Sequence, residues 1–212
     1  GTEFHAVPVD SAVCWDDPKF LPERNARVAG FDCSGQVTWH EGGSGPEKVL
    51  TVHSIGDVNA GGFGAAAPAL MRNLLRGLER ARAAAGLDDY VTVTEATHWS
   101  GTPVPANSPE MITRFPVPMV DVEVGSVETC WQDRAACGAL AEALTTAFDD
   151  DGKRLRDILC LGGVHFDPNF SRAAFTDWDG ESFGVSHILA NQWLVSGGYE
   201  KENGTAGAFA EA

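Results

Sequence analysis

The sequence has no long apolar segment and no excess of positive charge. No hydrophobic run approaches the roughly 20 residues that cross a bilayer, and no basic stretch followed by an apolar one marks the N-terminus for secretion. These absences favour a cytoplasmic protein without a membrane partner. A formal net charge of −15 repels phosphate backbones, so contact with nucleic acid needs a local basic patch. Arg72, Arg76, Arg80 and Arg82 fall within one predicted helix, and we interpret them as its solvated outer face.

Several catalytic and cofactor motifs are also missing. The five cysteines contain no CxxC pair, and their odd number favours reduced thiols. The absence of GxGxxG argues against a dinucleotide cofactor, and the absence of HExxH removes one independent sign of zinc. Ser126 lies in Val124-Gly125-Ser126-Val127, which does not match the GxSxG of a nucleophile elbow. Any active site must therefore combine residues that are distant in sequence.

The length of 212 residues suits one domain with a sizeable core. We assign this domain to residues 5–199. Residues 1–4 resemble a cloning remnant, and residues 200–212, rich in Gly, Ala and Glu, predict a disordered tail. No internal repeat divides the chain.

Strands alternate with helices along the chain. Short β-rich runs predict strands over 49–53, 90–95, 120–124 and 157–163, the last of them buried. Leucines at helical spacing predict a helix over 66–85, with Pro68 in its first turn and Gly86 past its end. A second helix is predicted over about 127–148, capped by Ser126. This order predicts an α/β fold, a mostly parallel sheet flanked by helices, with its ligand site where strands end.

Titratable side chains follow four of the predicted strands. The residues concerned are His53 after the first strand, Glu95 and His98 after the second, Glu123 and Ser126 at the third, and His165 after the fourth. We expect them to share a pocket. Imidazoles and carboxylates are the usual ligands of zinc, which would make a hydrolytic centre. The metal-free alternative uses a histidine or Glu95 as general base, with backbone N–H groups of the glycine-rich 56–64 loop stabilising an oxyanion.

Five ordered segments resemble the archaeal and plant type of D-aminoacyl-tRNA deacylase. They are Thr51-Val52-His53, Glu95-Ala-Thr-His98-Trp-Ser-Gly-Thr102, Glu123-Val-Gly-Ser126 followed by Trp131, Gly162-Gly163-Val-His165-Phe-Asp-Pro168, and Ser186-His187-Ile-Leu189. His40 falls about where this family has an upstream histidine.

The resemblance implies hydrolysis of the ester between a D-amino acid and tRNA, a zinc cofactor, and a fold related to peptidyl-tRNA hydrolases and nucleoside phosphorylases. Three positions depart from the family pattern: Trp99 replaces a histidine, while Val164 and Ser186 replace glycines. These departures leave two alternatives open. One is a divergent hydrolase, lyase or cyclase of specialised metabolism that acts on a small ester or amide, and the other is a binding protein without catalysis.

Residues and resemblance together give three predicted groups. The predicted catalytic residues are Glu95, His98, His165 and Ser126. The predicted substrate-binding residues are Trp99, Thr102, Gly62, Gly163 and Phe166. The candidate zinc ligands are His53, His98, His165 and His187, with Glu123 as a weaker candidate.

Overall fold

The computed structural model describes residues 3–6, 26–43, 45–57, 62–98, 113–149 and 151–192. The strands in these ranges are β1 (Val37–Glu41), β2 (Lys48–Ser54), β3 (Gly56–Asp57), β4 (Gly62–Phe63), β5 (Val91–Thr94), β6 (Val120–Ser126), β7 (Leu155–Leu161) and β8 (Ser182–Leu189). The helices are α1 (Pro68–Ala84), α2 (Glu128–Trp131), α3 (Arg134–Thr145) and α4 (Pro168–Phe175). No helix in the described ranges is long and apolar enough to cross a membrane.

The central sheet has four strands in the order β1-β6-β2-β5. β1 runs parallel to β6 and β2 runs parallel to β5, whereas the central pair, β2 and β6, is antiparallel. β7 and β8 form a separate parallel pair, and β3 and β4 form a short antiparallel pair. The α/β class and the mostly parallel pairing are confirmed, but the antiparallel β2–β6 pair makes the central sheet mixed. A buried β-branched run looks the same in either direction, so its sequence does not reveal this reversal.

Helix α1 forms where the leucine pattern predicts it. Pro68 occupies the first turn, where its missing N–H costs nothing, and Gly86 follows the helix with a φ of +66°. Leu74, Leu75 and Leu78 are buried against the sheet. The prediction of a solvated arginine face is wrong for Arg72, which is only 2% exposed.

The prediction of one helix over about 127–148 is wrong. The chain forms α2 and α3, and Asp133 separates them by accepting hydrogen bonds from the backbone N–H groups of Ala135 and Ala136. Aspartate is a favoured N-cap, so it begins a new helix here. Ser126 does not cap a helix because it ends strand β6, and its hydroxyl donates to the carbonyl oxygen of Pro46.

Strand β7 is less buried than predicted. It pairs with β8, and within the described residues it has no strand on its other side. Leu159 and Leu161 are therefore exposed, although Cys160 between them is buried. Cys33, Cys130, Cys137 and Cys160 are all free, in agreement with the prediction of reduced thiols for the cysteines that the structure describes.

The two faces of the central sheet differ in chemistry. Alternation along the strands directs Leu50, Val52, Val122 and Val124 into the apolar core shared with α1 and α3. The opposite face carries His40, Thr51, His53, Asp121 and Glu123, all buried. We call this second surface the polar face. The register places Glu123 beside Thr51 and Asp121 beside His53, so neighbouring strands contribute to one polar row.

Candidate active site

Glu95 lies at the centre of a histidine cluster next to the polar face. Its backbone N–H donates to the carbonyl oxygen of Val52, which continues the pairing of β5 with β2 by one residue. Its side chain is 1% exposed. Oε1 of Glu95 lies 2.6 Å from Nε2 of His165 and 3.5 Å from Nε2 of both His40 and His98. One carboxylate oxygen therefore faces three imidazole nitrogens.

The backbone around Glu95 joins two parts of the fold. The N–H of Ala96 donates to the carbonyl oxygen of His165, and the N–H of Thr97 donates to that of Ile188 in β8. The N–H of Gly56 donates to the carbonyl oxygen of His98. These bonds hold the 95–98 segment between the central sheet and the β7–β8 pair, so residues far apart in sequence meet at one point.

His40 is held in a defined tautomer by Ser126. The Ser126 hydroxyl has one hydrogen and donates it to the carbonyl oxygen of Pro46 at 2.7 Å. It must therefore accept the hydrogen bond from Nδ1 of His40, at 2.9 Å. Nε2 of a neutral His40 then carries a lone pair toward Glu95. Burial lowers the pKa of His40, which favours this neutral form.

His98 has the same arrangement with a different partner. Its Nδ1 lies 2.7 Å from the carbonyl oxygen of Ala96, which can only accept a hydrogen bond. Burial and the positive charge of His53 lower the pKa of His98 to about 3. Nε2 of His98 therefore also presents a lone pair beside Glu95.

His53 is the positively charged member of the cluster. Its Nδ1 donates to the carbonyl oxygen of Ser54 at 3.2 Å and its Nε2 to Oε1 of Glu123 at 3.3 Å. Burial opposes protonation, but the hydrogen bond to Glu123 and the charge of Glu95 raise the pKa of His53 to about 10. Its ring stacks on that of His98, with 4.0 Å between centroids. This contact adds to burial in keeping His98 neutral.

Glu95 itself is ionised. Burial disfavours the carboxylate, yet the hydrogen bond from His165 and the charge of His53 outweigh burial and lower the pKa of Glu95 to about 2. Phe166 closes one side of the cluster, since its ring lies edge-on to His40 at 4.9 Å and to His165 at 5.0 Å.

Two groups of side chains could hold a metal ion among the described residues. One comprises His40, Glu95 and His165, the other His53, Glu95 and Glu123, and within each group the ligand atoms lie within 4.8 Å of one another. A doubly protonated His53 has no lone pair, so the first group fits a metal better. Oε2 of Glu95 and Nδ1 of His165 are buried without a hydrogen-bond partner, as is Oγ1 of Thr51. Such orphaned atoms suit a site built around a further group.

The other predicted site residues occupy different places. His187 contacts Oγ1 of Thr97 and the carbonyl oxygen of Gly64, outside both candidate metal groups. Gly62 pairs with Asp57 in the β3–β4 hairpin. Gly163 has a φ of +68° and lies so close to Asp167 that a Cβ would meet Oδ2 at 2.4 Å, which fixes the turn before His165. Trp99 and Thr102 lie outside the described residues.

The sequence prediction omitted His40 from its site residues. Two features of the sequence could have identified it. His40 falls about where the family has an upstream histidine, and Gly125, which pairs with His40 across β1 and β6, is a glycine within a strand. A Cβ at Gly125 would lie 2.6 Å from Cβ of His40, so only glycine lets β1 approach so closely.

One sequence match to a nucleophile motif has no matching structure. Gly180-Glu181-Ser182-Phe183-Gly184 has the letters GxSxG. A nucleophile elbow requires a sharp strand-to-helix turn. Ser182 instead begins strand β8 and donates its hydroxyl hydrogen to Asp177 at 2.6 Å. It is therefore no candidate nucleophile.

Comparison with solved structures supports the fold. The chain superposes on the crystal structure of a conserved protein of unknown function, AF0625, with a TM-score of 0.65 and 21% identity. The match covers 91% of this chain and 70% of that one. At this identity the likeness concerns the fold alone.

Comparison of sequences gives the family. The chain is 29% identical over 206 residues to a D-aminoacyl-tRNA deacylase of Haloarcula marismortui, covering 89% of this chain and 38% of that protein. It is 29% identical over 150 residues to one of Cenarchaeum symbiosum, covering 66% and 53%. The chain thus spans about half or less of the length of these two curated relatives. A family model described as D-aminoacyl-tRNA deacylase matches residues 29–205. Most of the chain lies within that match, and the chain therefore belongs to the D-aminoacyl-tRNA deacylase family.

Proposed function

We propose that this chain hydrolyses the ester bond between a D-amino acid and tRNA, and that it does so in the cytoplasm. Family membership supports this reaction over the small-molecule alternative. The observation that carries the proposal is the position of Oε1 of Glu95, faced at 2.6 to 3.5 Å by Nε2 of His165, His40 and His98. Such a cluster of imidazoles around a carboxylate suits hydrolysis.

We further propose that His40, Glu95 and His165 hold a zinc ion. Their donor set of two imidazoles and one carboxylate matches a common catalytic zinc site. The Ser126 hydroxyl and the orphaned Oε2 of Glu95 support this assignment. When bound, zinc supplies a Lewis acid for the ester carbonyl and makes nearby water more acidic.

The protein side chains then orient the reactants. Nε2 of His98 accepts a hydrogen bond from the attacking water, because its Nδ1 hydrogen is engaged by Ala96. As the water oxygen bonds to the ester carbonyl carbon, one of its protons passes to Nε2 of His98. The bond from that carbon to the ribose oxygen then breaks, and His98 returns the proton to the ribose oxygen, which leaves as a hydroxyl group. The protonated His53, which is hydrogen-bonded to Glu123, stacks on His98 and acts together with burial to keep it unprotonated before this step.

Ser126 has a positioning role in this proposal and is not the nucleophile. Its hydroxyl hydrogen is engaged by Pro46 and its oxygen by His40. A serine nucleophile needs a base that takes its proton, whereas His40 donates to this oxygen. Ser126 therefore fixes the tautomer that His40 presents to zinc.

Hydrolysis of matched substrates tests the proposal. Purified protein, with and without added zinc, is incubated with D-tyrosyl-tRNA and with L-tyrosyl-tRNA, and release of the amino acid is followed. We expect rapid release from the D-ester, slow release from the L-ester, and loss of D-ester hydrolysis in His165→Ala. Decay of the D-ester at the uncatalysed rate under both metal conditions would remove the proposal.

A further inference from the structure

A second polar feature lies on the helical side of the fold. A cavity of about 270 Å³ is lined by Arg72, Asn73, Arg76, Arg80, Thr146, Asp149 and Asp151. We call it the arginine cavity. Its three arginines are spaced four residues apart on α1 and therefore share one face of the helix. Since one water molecule needs only about 15 Å³ of such space, the cavity accommodates a tetrahedral anion with several waters.

Arg72 places a buried charge in the wall of this cavity. It is 2% exposed, and its Nη1 donates to Oδ2 of Asp151 at 2.9 Å. Its Nη2 is buried without a hydrogen-bond partner. A guanidinium stays charged in proteins, and burying its donors without partners is costly. Its own chain therefore leaves one donor of this arginine unsatisfied, although Asp151 pairs with its charge.

The other two arginines donate hydrogen bonds to neutral groups, although Arg76 also lies near the carboxylates of Asp151 and Asp177. Nη2 of Arg76 donates to the carbonyl oxygen of Phe175 at 3.2 Å, and its Nη1 lies 3.6 Å from the same Asp151. Nη2 of Arg80 donates to the hydroxyl of Thr146 at 3.1 Å. Three guanidinium groups therefore face two carboxylates among the described lining residues, which leaves one positive charge in excess.

This local charge is opposite to that of the chain. The sequence carries a formal charge of −15, which repels RNA as a whole. Binding of RNA then depends on parts of the surface where the local charge is positive. Arginine is well suited to phosphate because its planar donors match the phosphate oxygens. A phosphodiester carries a single negative charge, equal to the excess in the arginine cavity.

We propose that the arginine cavity binds a backbone phosphate of the tRNA substrate, an inference that rests on the proposed function. The cavity is formed by α1 and the chain following α3, whereas Glu95 and its histidines lie by the opposite, polar face of the central sheet. The phosphate it binds belongs to a part of the tRNA away from the ester. A small aminoacyl ester occupies the histidine cluster without reaching this cavity.

The test removes two cavity charges without disturbing the buried one. The variant is Arg76→Gln/Arg80→Gln, because Arg80 is exposed and Arg76 partly exposed, and the buried Arg72 is retained. The matched control is Arg82→Gln/Arg156→Gln, which removes the same charge from arginines paired with Glu79 and Glu181 outside the cavity. Thermal unfolding of all three proteins establishes that each is folded.

Three readouts separate the outcomes. For D-tyrosyl-tRNA we expect KM to rise about tenfold in the cavity variant with kcat unchanged, and the control to stay within twofold. For D-tyrosyl-adenosine, which lacks a phosphate backbone, we expect all three proteins to be equal. The dependence of log affinity for deacylated tRNA on log salt should become shallower by about 0.7 to 0.9 for each phosphate that the variant no longer binds.

Other results overturn the inference. Equal KM values for tRNA in the cavity variant and control would show that these arginines have only a structural role, which is to hold the chain at Asp151. Saturable binding of inorganic phosphate that the cavity variant loses, without any change in tRNA affinity, would assign the cavity to a free anion instead. If the wild type hydrolyses neither ester, the proposed function fails. Deacylated tRNA binding then still tests the cavity, and equal affinities of variant and control overturn it.

Discussion

Nε2 of His165 lies 2.6 Å from Oε1 of Glu95, and this contact joins the β7–β8 part of the fold to the central sheet. The same carboxylate oxygen faces His40 and His98, each at 3.5 Å. Glu95 is therefore the common neighbour of three histidines from three separate stretches of chain.

Replacing Glu95 with glutamine keeps the shape of the side chain and removes its charge. We expect kcat/KM for D-aminoacyl-tRNA to fall by about 100-fold or more, as for loss of one electrostatic group at a reaction centre. The control is Glu142→Gln, an exposed carboxylate on α3. Steady-state kinetics within threefold of the wild type for Glu95→Gln would contradict the assignment of this residue to the site.

Replacing Ser126 with alanine removes the acceptor for Nδ1 of His40. We expect zinc affinity to fall by about 10- to 100-fold, the usual effect of losing the partner of a metal-binding histidine. Competition with a chromophoric chelator measures this affinity without any assay of catalysis. Thr145→Ala, which removes an exposed hydroxyl from α3, serves as control. An unchanged zinc affinity in Ser126→Ala would argue against His40 as a ligand.

Stability of the metal-free protein should be greatest near pH 6.5. In the folded state the pKa of His98 is about 3 instead of 6.5, and that of Glu95 is about 2 instead of 4.5. As pH falls from 6.5, the unfolded chain takes up protons that the folded chain does not, so the free energy of unfolding decreases. Each such group contributes about 1.4 kcal/mol per pH unit within its window.

The decrease in the free energy of unfolding above pH 6.5 depends on His53. Its pKa is raised from 6.5 to about 10, so above pH 6.5 the folded protein holds a proton that the unfolded chain has lost. The stabilisation from His53 is complete below pH 6.5 and disappears as pH rises through about 10. Urea unfolding in the presence of a chelator at a series of pH values measures both limbs. His98→Asn should have a shallower acid limb, and an acid limb equal to that of the wild type would refute the shift assigned to His98.

Replacing Gly125 with alanine tests the close approach of β1 to β6. Its Cβ would lie 2.6 Å from Cβ of His40 and 2.7 Å from the His40 carbonyl oxygen, so β1 must move. We expect lower stability, by about 1–3 kcal/mol, together with weaker zinc binding.

Gly138→Ala is the matched control for this change. Gly138 lies within α3 with no atom within 4 Å of an added Cβ, so alanine should stabilise the protein by about 0.5–1 kcal/mol. Equal effects of the two substitutions on zinc affinity would show that the strand approach does not position His40.

Local patterns in the sequence located α1, β2, β5, β6 and β7, whereas β1, β8 and α4 were not predicted. The leucine spacing and Pro68 placed α1 within one or two residues of its ends, and the β-branched run around Thr51 placed β2. A single side chain was responsible for the error in the helix predicted over about 127–148. Asp133 caps α3 and interrupts a helical pattern that continues on both sides of it.

The sequence predicted many residues of the candidate site, but it placed them at a sheet edge, whereas in the structure they share a sheet face. The prediction relied on strand ends meeting at one edge of a parallel sheet. Because β6 runs antiparallel to β2, Ser126 pairs with Lys48 at the start of β2, and Glu123 lies mid-strand. His53 and Glu123 meet because they share a face, not an edge. Alternation of residues along each strand gives this face only once the pairing is known.

The sequence by itself determined the positions of α1 and of the strands β2, β5 and β6, because these depend on side chains a few residues apart. It also carried the ordered histidine and glutamate motifs that mark the family. Tertiary structure alone decided the direction of β6, the burial of Arg72, and the tautomers of His40 and His98. Each depends on partners more than 60 residues away or on a carbonyl group whose direction follows from the fold. Charge and hydrogen bonding act through space, so the chemistry of these side chains is set by the neighbours that folding supplies.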